Sequence, residues 1–207
     1  MKLIVQSFLT LDGVMQGPGG PDEDRSGGFE HGGWSYPYAD EVFGRLVDNW
    51  MSAADGFLLG RKTYEIFAGY WPQVTDPDNP IAGLLNRLPK YVASRTLDQV
   101  EWNNSTLIKG DVAGEVAKLK GEPGGELQVH GSGDLAQTLM RHDLVDEYRL
   151  FINPVVLGTG KRLFGEGAVP AAMRLADSTP TSTGAVALVY ERAGKPEYGE
   201  FALEEEE

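Results

Sequence analysis

Three short runs in this chain combine glycine, hydroxyl and cationic side chains in the manner of a phosphate cradle. They are Gly60-Arg61-Lys62-Thr63, Ser94-Arg95-Thr96 and His130-Gly131-Ser132-Gly133-Asp134. Glycine lets a backbone approach a ligand closely, and a helix opening beside it presents unpaired N–H groups to an anion. In the first run, Arg61 and Lys62 stand at a helix start, where cations oppose the positive end of the dipole; a bound phosphate removes that conflict. In the second, a hydroxyl beside a guanidinium suits a phosphomonoester such as the 2′-phosphate of a dinucleotide. A helix cap or plain turn is the competing reading of Ser94 and Thr96. The third run holds only Gly-x-Gly, and it comes late in the chain, so it is not the full dinucleotide fingerprint. Asp134 reads as a cap of the helix that follows.

These runs converge only if each follows a strand. Phe57-Leu58-Leu59, Tyr91-Val92-Ala93 and Leu127-Gln128-Val129 are apolar segments of strand length directly ahead of them. Lys2 to Leu9 predicts a buried first strand, ended by the turn pair Asp12-Gly13. From Tyr38 to Ala54, residues Val42, Phe43, Leu46, Val47, Trp50 and Met51 share one helical face. Further helices are predicted from Thr63, over Val112 to Lys120, and over Asp134 to His142. Thr106 to Ile108 and Glu147 to Ile152 read as strands, and Gly83 and Pro89 as loop positions. Arg174 to Asp177 and Ala185 to Arg192 read as two strands with no helix between them. The alternation predicts an α/β fold: a mixed, mostly parallel sheet with helices on both faces and an antiparallel C-terminal edge. Residues 16–35, rich in glycine with Pro18 and Pro21, predict a flexible loop, either a lid over substrate or a disordered insert.

Composition narrows the chemistry. The 207 residues, 41% hydrophobic and 24% charged, suit one domain over 1–207. No cysteine is present, which excludes disulfides, thiolate zinc sites and a cysteine nucleophile and fits a cytoplasmic location. His31, His130 and His142 are too scattered for a metal site, and none is expected. A formal charge of -13 makes nucleic acid an unsuitable partner, and residues 196–207 predict an acidic tail. The N-terminal apolar run is too short for a signal peptide, and no window reaches the length of a membrane span.

The three runs, in order and spacing, resemble the cofactor signature of the dihydrofolate reductase superfamily; Tyr64, Glu65, Leu135 and Leu139 extend the match. Three other segments resemble its riboflavin-biosynthesis reductase branch specifically. They are Ser7-x-x-x-x-Asp12-Gly13, Leu144 to Tyr148, and Asn153-Pro154-Val155-Val156-Leu157-Gly158-x-Gly160-x-x-Leu163-Phe164. The resemblance implies an eight- or nine-stranded sheet with NADPH across its carboxyl edge. Gly60, Arg61, Lys62, Thr63, Ser94 and Arg95 would hold its phosphates from one side. Gly131, Ser132 and Gly133, with Leu135, would hold them from the other. The nicotinamide would lie near the first strand and Ile152-Asn153, so Ser7, Asp12, Trp34 and Asn153 are the expected substrate residues. Homodimers, with Pro154 to Phe164 helping to pair, are a further implication.

Hydride transfer leaves the hard chemistry to the cofactor. Dihydrofolate reductases add one acid on the first long helix, and Trp34-Ser35-Tyr36-Pro37-Tyr38-Ala39-Asp40-Glu41 resembles that stretch. Asp40 is the expected proton donor and Glu41 the alternative register. A carboxyl buried in an apolar cleft has the raised pKa such a role needs, whereas a carboxylate in a first helical turn is also favoured by the dipole alone. Riboflavin reductases are often fused to a zinc deaminase that needs cysteine ligands, so a free-standing reductase module is expected here. The substrate stays open between a folate or pterin, a ribosylamino-pyrimidine and a small carbonyl or imine. Two other readings remain: a nucleotide-binding sensor without turnover, and a site for a phosphorylated metabolite.

Overall fold

The computed structural model describes residues 1–166 and 168–201. One eight-stranded sheet organises them. β1 (Lys2–Thr10) lies between β5 (Glu126–His130) and β6 (Glu147–Asn153), both parallel to it. Beyond β5 come β2 (Ala54–Gly60), β3 (Lys90–Ala93) and β4 (Ser105–Ile108), all parallel. Beyond β6 the hairpin of β8 (Val186–Arg192) and β7 (Met173–Pro180) closes the sheet antiparallel. The mixed architecture expected from the sequence is therefore the observed one, with eight strands.

The strands are apolar because both faces are covered. On one face α4 (Val112–Gly121) and α5 (Gly133–Arg141) bury Val116, Leu135, Ala136 and Leu139 against Leu3, Val5, Leu58 and Val129. On the other, α1 (Glu41–Ser52), α2 (Arg61–Tyr70) and α3 (Pro80–Arg87) cover Phe57, Leu59 and Val92. Phe43 and Trp50 of α1 stack on Phe151, with ring centroids 4.6 and 4.9 Å away.

Gly83 proves to lie within α3 and not in a loop. Asn79 caps that helix by accepting from Ala82 N at 3.0 Å, and Pro80 fits its first turn. Its far end is closed by Lys90, wholly buried, whose Nζ donates to Leu85 O and Leu88 O at 2.7 and 2.9 Å. Burial pushes this ammonium's pKa down to about 8, and the Trp102 ring 4.4 Å away helps to hold its charge.

Beneath α1 the sheet carries a polar network. Arg149 forks onto Glu126 at 2.8 and 2.6 Å and reaches Glu147 at 2.7 Å. A buried cation needs that degree of pairing, because a lone one would cost several kcal/mol. Among the described residues no helix is long and apolar enough to cross a membrane. Glu204 to Glu207, part of the predicted acidic tail, lie outside the described residues.

Candidate functional site

The carboxyl ends of β1, β2, β3 and β5 open into one cleft of about 1560 Å³. All three glycine- or serine-led turns line it: Gly60, Arg61, Lys62 and Thr63; Ser94 and Arg95; and Gly131, Ser132, Gly133 and Leu135. Ligands of open α/β sheets bind at such a rim because helix N-termini and free loop amides collect there.

Ser132 stitches two of the turns together. Its Oγ accepts from Gly60 N at 2.9 Å and donates to Thr63 Oγ1 at 3.0 Å, so the N-termini of α2 and α5 lie side by side. Gly131 and Ser132 both adopt left-handed backbone, each with φ of +53°. For serine that conformation is costly, and strain of this kind persists where the surroundings over-determine it. A Cβ on Gly133 would stand 3.0 Å from Met15 Sδ, so a larger residue there would have to push that side chain aside.

At the outer end Arg61 Nη1 donates to Thr96 Oγ1 at 2.7 Å while its Nε pairs with Glu65 at 2.8 Å. Ser94 folds its hydroxyl back to accept from Leu97 N at 3.0 Å, which fixes the turn and leaves Arg95 projecting at the cleft mouth. The inner end is aromatic and polar together. Phe8, Phe67, Tyr70 and Trp71 line it with Gln6, Ser7 and His130.

Gln6 and His130 sit opposite each other on β1 and β5. Gln6 is 4% exposed, and its Oε1 has no hydrogen-bond partner among the described residues. His130 is held by the network below it. Gln128 spends its Nε2 on Trp50 O at 2.6 Å and Glu126 at 2.8 Å, so its Oε1 faces His130 Nε2 at 3.1 Å as an acceptor. Nε2 therefore carries the proton and Nδ1 keeps a lone pair. Burial, then the charge of Arg149, pushes the His130 pKa down to about 4, so the ring is neutral at physiological pH. An uncompensated buried amide oxygen beside a neutral imidazole marks a place where a ligand can supply hydrogen-bond donors.

Four expected site residues lie elsewhere, as does the alternative acid. Asp40 is the cap of α1: Oδ1 accepts from Phe43 N at 2.8 Å, and Oδ2 from Ser182 N and Oγ at 2.7 and 2.6 Å. The Ser182 hydroxyl first, then the helix amides, hold its pKa below the ordinary value, the reverse of what a proton donor needs. Glu41 follows as the first residue of α1 and is exposed, with no place in the cleft wall. Asp12 binds Thr10 Oγ1 at 2.6 Å, Gly158 N at 2.8 Å and Arg162 at 3.1 Å, and so ties the β6–β7 connection to the end of β1. The Thr10 hydroxyl and these loop amides keep its carboxyl well below the usual range. Trp34 is buried with Val14 and Phe29, donating to Gln16 O at 2.8 Å, and Asn153 is wholly buried, donating to Leu9 O at 3.2 Å. Neither lines the cleft, and Asn153 Oδ1, like Gln6 Oε1, has no hydrogen-bond partner among the described residues.

Residues 16–35 form a strap with hydrogen bonds of its own. Gln16 Nε2 donates to Asp24 O and Ser26 O at 3.0 and 2.9 Å, Gly33 N to Gly17 O at 2.8 Å, and Ser35 Oγ to Pro18 O at 2.8 Å. Residues 15–24 roof part of the cleft. Glu23, on that roof, is a carboxyl whose pKa is raised, by burial above all.

The RibD C-terminal domain model matches residues 1–187. YyaP, an uncharacterized protein of Bacillus subtilis, is 31% identical over 191 residues, 91% of this chain and 94% of that protein. Among solved structures, a candidate riboflavin biosynthesis protein from Shewanella sp. PV-4 superposes with a TM-score of 0.66 at 25% identity, covering 93% of this chain and 99% of that one. Dihydrofolate reductase from Enterococcus faecalis, complexed with NADP(H), matches at 0.57 and 13% identity over 92% and 96% of the two chains; at that identity the likeness is one of fold. With the strand order, the three turns at one rim and the family match agreeing over nearly the whole length, the chain belongs to the RibD C-terminal domain family.

Proposed function

We propose that the protein is an NADPH-dependent reductase of a small heterocyclic, carbonyl or imine substrate. The observation that carries this is the convergence of Arg61, Arg95 and Ser132 on one cleft, with Ser132 bonded to both Gly60 and Thr63. The residues fit the cofactor on three counts. Two helix N-termini face the same space, the backbone at Gly131 and Ser132 is turned left-handed, and cations line the wall of a chain with net charge -13.

In this reading the amides of Gly60 to Thr63 and Gly131 to Gly133 hold the pyrophosphate, and Arg61 and Arg95 the adenosine 2′-phosphate. NADPH, when bound, supplies the hydride. Gln6, whose Oε1 has no partner among the described residues, and His130 beside it orient a ring at the inner end, and Phe8, Phe67 and Trp71 exclude water around it. Neutral His130 acts as a hydrogen-bond acceptor and not as an acid. In the same reading two copies pair through the β6–β7 connection, where Val156 and Phe164 are exposed.

Titration with NADPH, NADH and NADP+ tests the reading, with fluorescence of Trp71 on the cleft wall as the signal. Saturable binding that favours NADPH over NADH is expected, followed by substrate-dependent loss of the reduced nicotinamide absorbance. Absence of saturable NADPH binding would remove the proposal. A site for a phosphorylated metabolite would instead bind ribose 5-phosphate and ignore both dinucleotides.

A further inference from the structure

One carboxylate of the strap over the cleft is held from both banks. Asp24 Oδ1 accepts from Lys62 Nζ of α2 at 2.9 Å, and Oδ2 accepts from Lys161 Nζ of the β6–β7 connection at 2.6 Å. Ser26 N adds a third bond to Oδ1 at 3.0 Å. The Asp24 side chain is only 12% exposed. Burial works to raise its pKa, but the bonds from Lys161, Ser26 and Lys62 together hold it below the ordinary range.

An exposed lysine–aspartate pair is worth little, and the strap has a scaffold of its own through Gln16 and Ser35. The Asp24 pairing is a different kind of contact. Two ammonium groups from separate elements repel each other unless an anion lies between them. Both lysines line the cleft that also holds Gly131 to Gly133. Their juxtaposition describes an oxyanion seat, and a phosphate group, with more oxygens and more charge than a carboxylate, fills such a seat better.

We infer that Lys62 and Lys161 form an anion subsite for a phosphate or pyrophosphate group, and that Asp24 is an internal surrogate which such a ligand must displace. Lys62 belongs to the cradle already described; Lys161 and Asp24 add a second bank and a competitor. The inference rests on the NADPH reading only for one of its two sources of phosphate, the other being a phosphorylated substrate. Displacing Asp24 also breaks the strap's tie to α2, while Gln16 and Ser26 stay bonded to Lys161 N and Nζ at 3.0 and 2.7 Å, so ligand binding and local loosening of the strap are linked.

The test measures binding of inorganic pyrophosphate, NADPH and ribose 5-phosphate by calorimetry. The proteins are the wild type, Asp24→Asn, and Asp24→Asn combined with Lys161→Gln. Removing the competing charge should tighten pyrophosphate binding about tenfold, and the second substitution should reverse that gain. Whichever organic probe shares the gain identifies the source of the phosphate. In the wild type, pyrophosphate should also speed tryptic cleavage after Arg25, which Asp24→Asn should show without it. Unchanged or weaker pyrophosphate binding in Asp24→Asn overturns the inference, as does a gain that survives Lys161→Gln. Asp24→Ser repeats the comparison should the asparagine variant fold poorly. If NADPH fails to bind any protein while pyrophosphate behaves as stated, the reductase reading falls and the subsite stands. Normal NADPH binding with an inert Asp24→Asn sinks the subsite alone.

Discussion

Two regions of this molecule carry residues of the matching motifs, and they differ in what those residues face. At the rim formed by β2, β3 and β5, Arg61, Lys62, Arg95 and the amides of Gly131 to Gly133 face a cleft. At the far end of β1, Asp12 and Asp40 face the protein itself, their carboxylate oxygens taken by loop amides, a helix end or a neighbouring hydroxyl, while wholly buried Asn153 keeps an Oδ1 without a partner among the described residues. A carboxylate or amide in a matching motif becomes a site only when the fold leaves its bonding capacity unspent. Gln6 and the β1 face around it meet that condition; Asp12 and Asp40 do not.

The largest effect should come from the cleft side. Replacing Arg61 and Arg95 together by alanine should weaken NADPH binding on the order of 100-fold, about tenfold for each charge-assisted hydrogen bond removed. NADH affinity should change little, since it lacks the 2′-phosphate. Equal losses for both dinucleotides would place that phosphate elsewhere and break the assignment of this end. On the other side, Asp12→Ala removes the carboxylate that Thr10, Gly158 and Arg162 share. A drop in Tm of about 4–8 °C is expected for this size of protein, with NADPH affinity kept within about twofold. A large loss of affinity at unchanged Tm would make Asp12 a ligand residue after all.

Between the two regions lies His130, and pH separates its role. Its folded pKa, about 4, is below the ordinary histidine value of 6.5. The unfolded chain therefore binds the proton more readily as pH falls from 6.5 towards 4, and stability declines across that window by at most about 1.4 kcal/mol per pH unit. His130→Gln should flatten that part of the denaturation profile. In the wild type, turnover should show no histidine inflection between pH 5 and 8; an inflection there would return His130 to acid–base duty.

Most of the frame was legible in the sequence because it obeys local rules. Apolar runs of strand length marked the parallel strands, and the amphipathic face of Val42 to Met51 marked α1. Of the three cleft turns, Gly60 to Thr63 was the most legible, because cations at a helix start are locally unfavourable without a ligand. Helix α3 was hidden by Gly83, whose weak propensity is outweighed by Leu85 and Ala82 in the core and by the Lys90 cap from beyond its end. The inner end of the cleft was hidden for a deeper reason. Gln6, Gln128 and Arg149 interrupt apolar strands, a visible signal, but their meaning depends on Gln6 meeting His130 across strands that are distant in sequence. The pairing of Asp24 with Lys62 and Lys161 joins three segments in the same way. Asp40 was ambiguous because a proton donor and a helix cap both favour an acid at the helix start. Only the Ser182 turn, 142 residues on, separates them.

That ambiguity yields the smallest expected effect and the sharpest contrast. Asparagine at position 40 still caps α1 through its amide oxygen, so Asp40→Asn keeps the bond from Phe43 N and loses only the charged half that holds Ser182. The Tm should stay within about 2 °C of the wild type near neutral pH. Because the folded pKa is depressed, the carboxylate's contribution is present above the unfolded value and disappears as pH falls through the folded one. The two proteins should therefore converge in stability in acid and differ most above about pH 5. Turnover at pH 7 should be unchanged, since a half-buried cap whose pKa is held below the ordinary carboxylate value has no proton to give at that pH. A fall of about 100-fold in kcat, with Tm preserved, would instead make this carboxyl the missing acid and pull the first-strand end of the molecule back into the active site.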